Sequence, residues 1–106
     1  MSLDAGVLAG LRTALAGLLD EAGVAEAAGG VYAVGGTTVG VLGPDGLELR
    51  LTAVVARAAA GTPDAGPSAR GPEWVRFAPT TLDRFALDRA TSWFGLAARS
   101  ATAGND

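Results

Sequence analysis

Carboxylates and guanidinium groups are the side chains here that could move protons or bind anions near neutrality: the chain holds eleven Asp and Glu, eight Arg, and no Lys, His or Cys. Without Cys there is no thiol nucleophile, thiolate metal site or disulfide framework. Without His the commonest metal ligand is missing, along with the one side chain whose unperturbed pKa lies near neutrality. Zinc sites, Ser-His-Asp triads and Cys-His dyads are excluded within these 106 residues. Carboxylate acid–base work needs two acids across a cleft. Asp83 and Asp88 stand five apart, off a common helical face, so Asp83 reads as a helix cap and Asp88 as a solvated position. No catalytic residue, metal or cofactor is expected.

Glycine pairs at Gly29-Gly30 and Gly35-Gly36 raise the question of a phosphate loop. Such a loop needs its glycines between a strand and a helix N-terminus. These pairs flank a strand that leads to another strand, so turns and close backbone approach account for them. Arg50 and Arg76 fall in strand-like runs. They are either anion ligands on an open sheet face or cross-strand partners of Glu48 or Glu73. Trp74 and Trp93 suit an apolar pocket, a core or an oligomer contact, with Trp93 assigned to the core.

Those residues must be held by elements. Leu8, Leu11, Leu15, Leu18 and Leu19 recur at helical spacing, which predicts a helix from Ser2, as N-cap, to about Gly23. Gly10 and Gly17 lie seven apart inside it, which suggests close packing against a neighbour. Strands are expected over 31–34, 37–42 and 47–51, separated by Gly35-Gly36 and by Gly43-Pro44-Asp45-Gly46. Leu47-Glu48-Leu49-Arg50-Leu51 alternates strictly and reads as half-buried. A short helix over 53–60 follows. Residues 61–72, with three prolines and three glycines, read as a loop that is mobile at its tip. A strand over 73–78 ends at Pro79. Thr80-Thr81-Leu82-Asp83 resembles a capping box opening a helix to about Ser100. Leu82, Phe85, Ala86, Arg89, Trp93, Leu96 and Ala97 are expected on one face of it.

The order α-β-β-β-α-β-α segregates helices from antiparallel strands. It predicts an α+β two-layer sandwich with helices on one face of the sheet. One domain over 1–106 is expected, with about 1–4 and 101–106 frayed. On the uncovered face the reading places Trp74, Val39 or Leu42 according to register, and Tyr32.

Charge and length narrow the partners. A net charge of −3 opposes non-specific nucleic-acid binding, which rests on cationic side chains. No apolar run reaches the length of a membrane span. The opening MSLDAGVLAGL has no cationic region and carries Asp4, so a cytoplasmic location is expected rather than a secretory signal. The Arg-only, Ala- and Gly-rich usage points to a GC-rich bacterial gene.

The run Gly29-Gly30-Val31-Tyr32, then Val39-Gly40-Val41, Leu47-Glu48-Leu49-Arg50, Glu73-Trp74-Val75 and a last helix with an aromatic and small residues resembles the N-terminal domain of TfoX. It is also similar to the related YjbR (MmcQ)-like domains, over about residues 5–100. The pattern departs from theirs at Pro72, where Gly71 sits one place further out. The resemblance implies a compact α+β fold shared with type III secretion-chaperone-like proteins, and it implies no catalytic site. TfoX's link to competence-gene regulation involves a second domain and is not implied. Some YjbR-like members are labelled DNA-binding, which the acidic charge here opposes. The expectation is therefore a non-enzymatic protein-contact domain, most simply a homodimer, with Tyr32, Arg50, Trp74 and Arg76 as the candidate interaction surface. The alternative is a small-molecule binding domain using a cleft between the sheet and the 61–72 loop.

Overall fold

The computed structural model describes residues 3–104. Its elements run α1 (Ala5–Ala16), α2 (Leu19–Ala22), β1 (Ala25–Ala27), β2 (Val31–Val34), β3 (Thr37–Gly43), β4 (Gly46–Arg50), α3 (Ala53–Ala60), β5 (Ala65–Pro67), β6 (Trp74–Phe77) and α4 (Arg84–Gly104). The six strands form one sheet in the order β1-β2-β3-β4-β6-β5, with every neighbouring pair antiparallel. This is the expected α+β sandwich, with α2, β1 and β5 added.

Each addition has a local cause. Asp4, not Ser2, caps α1, its carboxylate accepting from the Gly6 N–H at 3.2 Å. The Leu3 N–H is also bonded to the Pro44 carbonyl, so residues 3 and 4 are tied down rather than frayed; Met1 and Ser2 lie outside the described residues. The expected single helix stops at Gly17. A short α2 then closes on Gly23 (φ 68°), with the Val24 N–H reaching back to the Leu19 carbonyl at 2.9 Å. Gly10 is a close-packing site: a Cβ there would stand 2.5 Å from Leu82 Cδ2, whereas Gly17 has no such neighbour. β1 and β5 are the two sheet edges. At three residues each, Ala-Glu-Ala and Ala-Gly-Pro are too short for any alternation to announce a strand, and proline is tolerated in a sheet at its edge.

Alternation in β4 sorts the two faces. Leu47 and Leu49 pair with Phe77 and Val75 on the inside. Glu48 and Arg50 pair with Arg76 and Trp74 on the outside. A bulge between β2 and β3 leaves Val39 unpaired, with Tyr32 opposite Gly40. Val39, Leu42 and Tyr32 are all buried, so the expected outward placement of Val39 or Leu42, and of Tyr32, is corrected. Tyr32 fits because Gly40 has no side chain; a Cβ there would already crowd Leu49.

One hydrophobic cluster joins Val7, Leu11 and Leu15 of α1 to these strands and to Ala86, Ala90, Phe94, Ala97 and Ala98 of α4. The alanines let a 21-residue helix lie close on the sheet. The buried face of α4 is therefore rotated from the expected one. Phe85 is 70% exposed, and Trp93 sits at the core's rim, edge-on to Phe77 at 5.3 Å. Helix α4 continues through residues 101–104, which were expected to fray. Asn105 and Asp106 lie outside the described residues. Ala56 and Ala59 of α3 enter the same cluster, beside β5 and β6.

Candidate functional site

Of the four expected surface residues, the fold gathers three. Arg50 and Trp74 are direct cross-strand neighbours on the outer face, and Arg76 lies next along β6 opposite Glu48. Tyr32 is on the other side of the sheet, fully buried and edge-on to Phe94 at 5.3 Å. It is removed from the candidate surface.

The charges on the outer face are largely spoken for. Arg50 Nε lies 3.1 Å from Glu73 Oε2, with both side chains over two-fifths exposed; this is the cross-strand partnership rather than an anion site, and such exposed pairs contribute little. Glu48 is engaged from the connection before β6: it accepts from the Ser68 hydroxyl and from Arg70 Nε at 3.1 Å. The Arg70 guanidinium also lies over the Trp74 ring, 5.5 Å from its centroid. This Ser68–Arg70–Glu48 brace was not anticipated, because nothing in a Pro- and Gly-rich stretch marks which arginine will fold back. The stretch is tied at its start as well. The Thr62 hydroxyl donates to the Ala59 carbonyl at 2.7 Å, and Arg89 donates to the Pro63 carbonyl. Arg76 makes no ion pair among the described residues.

Trp74 stands between two depressions. On the sheet side a polar one of about 340 Å³ is lined by Thr38, Arg50, Arg70 and Glu73. On the other side an apolar groove of about 500 Å³ runs between α3 and the following connection, walled by Val54, Arg57, Pro67, Pro72 and Trp74. The expected cleft between sheet and 61–72 loop is thus, in its apolar part, a cleft between α3 and that loop, with Trp74 as its strand residue. Val54 is 79% exposed on the groove's α3 wall. Sequence reasoning missed α3 as a site, since an alanine-rich octet gives no sign of which side it shows to solvent.

A larger cavity of about 770 Å³ between α2 and α4, lined by Leu18, Phe94 and Arg99 among others, contains none of the four residues expected on the interaction surface. Asp83 acts as a cap, its carboxylate accepting from the Ala86 N–H at 2.8 Å. Among the described residues no cluster of three or more acidic side chains assembles, and no helix is long and apolar enough to cross a membrane. What the Trp74 region offers chemically is apolar burial beside a fixed polar rim. No protein-family model, curated protein or solved structure matches the chain.

Proposed function

We propose that this chain is a non-enzymatic, cytoplasmic bacterial domain of the TfoX N-terminal type that works through protein–protein contact as a homodimer. One observation carries the reading. Trp74 and Val54 flank an apolar groove whose lining holds a single charged residue, Arg57. Apolar surface bounded by a polar rim is the anatomy of a contact patch. The α+β sandwich supports the kinship, being the fold that the resemblance implies. The pairing of Arg50 with Glu73 and of Arg70 with Glu48 supports a protein rather than a phosphate backbone as the partner, because it leaves fewer free cations on that face.

Size-exclusion chromatography with light scattering tests this. The wild-type chain is expected at twice its own mass at micromolar concentration. Trp74→Ala is expected to shift the population toward monomer while its melting temperature falls little. A wild-type monomer would reject the homodimer. A second reading rests on the same groove, whose far wall is Pro67 and Pro72: a small apolar ligand could lie there. It predicts a monomer whose Trp74 fluorescence saturates with an apolar probe such as anilinonaphthalene sulfonate.

A further inference from the structure

The sequence of α3, Ala-Val-Val-Ala-Arg-Ala-Ala-Ala, spends its buried side on two alanines. Ala56 and Ala59 face the core, while Ala53, Val54, Val55, Arg57 and Ala58 are exposed. A surface helix ordinarily turns polar residues outward. Here four of those five exposed residues are apolar. Local preference does not ask for them, since β-branched valines are weaker helix formers than alanine or the charged long-chain residues. The helix is secured at its start by the Thr52 hydroxyl, which accepts from the Val55 N–H at 3.3 Å.

We propose that the α3 ridge is the two-fold contact of the homodimer: Val54 of one copy seats in the groove between Pro72 and Trp74 of the other, and the reverse. This rests on the homodimer reading and assigns its surface. Shape and charge both favour this seating. A two-fold interface brings a patch against itself, so the patch must hold both a projection and a recess. Val54 is the projection, and the 500 Å³ apolar groove directly beside it is the recess. Two acidic chains, each of net charge −3, meet at least electrostatic cost where neither presents a carboxylate. Among the described residues the groove lining contains none. Arg57, one helical turn from Val54, keeps its charge at the rim while its stem covers apolar surface. Ala58 and Ala53 let two helices approach closely.

The absence of cysteine makes the contact directly mappable. Val54→Cys is expected to give a covalent dimer with a short bis-maleimide. Phe85→Cys, at an equally accessible apolar position on α4, is expected not to. Val54→Asp is expected to raise the dimer dissociation constant at least about 30-fold, the loss of a hot-spot residue, without lowering the melting temperature of the monomer. A wild-type dimer that survives Val54→Asp, or that crosslinks no better through position 54 than through 85, would overturn this contact and leave the homodimer standing. A wild-type monomer would overturn both.

Discussion

Tyr32 is the residue at which chemistry and packing disagree most. Its hydroxyl is buried with no hydrogen-bond partner among the described residues, a loss that typically costs 1–3 kcal/mol. Tyr32→Phe keeps the ring on Phe94 and removes the orphan, so urea denaturation is expected to show a gain of about 1 kcal/mol. Burial pushes the phenol's pKa upward, as does nearby Glu26, and Arg12 opposes them. Below about pH 10 the phenol is protonated in both states. Above it the unfolded chain loses its proton first, so stability falls as pH climbs toward the raised native value. Tyr32→Phe lacks that decline, and its advantage over the wild type is expected to widen above about pH 10. Which way Tyr32 faces was not legible, because Val31-Tyr32-Ala33-Val34 is apolar throughout and period two has nothing to sort. In Leu47-Glu48-Leu49-Arg50 the two kinds of side chain alternate, and there the faces were legible residue by residue.

At the scale of elements, the turns and the Asp83 cap were legible, while the cap of α1 and the short edges were not. Gly29 and Gly30 both have positive φ (82° and 74°), but they differ in surroundings. A Cβ at Gly29 meets nothing within 4 Å, whereas one at Gly30 collides with the Leu42 carbonyl oxygen. Gly29→Ala should therefore cost only the left-handed penalty of about 1–2 kcal/mol. Gly30→Ala should cost more, by a further 1–3 kcal/mol of overpacking at the β2–β3 pairing. Equal midpoints for the two variants in denaturant would contradict this placement. Asp83→Ala is expected to cost about 1 kcal/mol by removing the α4 cap. The strands β1 and β5 escaped detection because they exist only by pairing with β2 and β6; three residues apiece are too few to show a β pattern. The buried side of α4 escaped for a related reason. Alanine reads as neutral in a hydrophobic stripe, so Phe85 and Trp93 drew the predicted face toward themselves, while the packed helix buries Ala86, Ala90, Phe94 and Ala97.

The whole molecule follows from a scarcity of large apolar residues. Leucines and valines of the strands and α1, with Tyr32, Phe77 and Phe94 of α4, fill one cluster, and alanines bring α4 down onto it. Of the material left over, Phe85 stands alone on α4, while Val54, Trp74 and two prolines gather at one edge of the fold around a groove. Two-layer packing was readable from the segregation of helices and strands. This edge was not, because it depends on which side α3 turns to the core and on how the Pro-rich connection folds back. The central claim is that a second copy covers it. In a Trp93→Phe background Trp74 is the sole indole, and its emission measured from nanomolar to high micromolar concentration reads the groove directly. A blue shift on concentration, reversed on dilution and absent in Val54→Asp, is the predicted result; an emission maximum that stays fixed across the whole range would contradict the account.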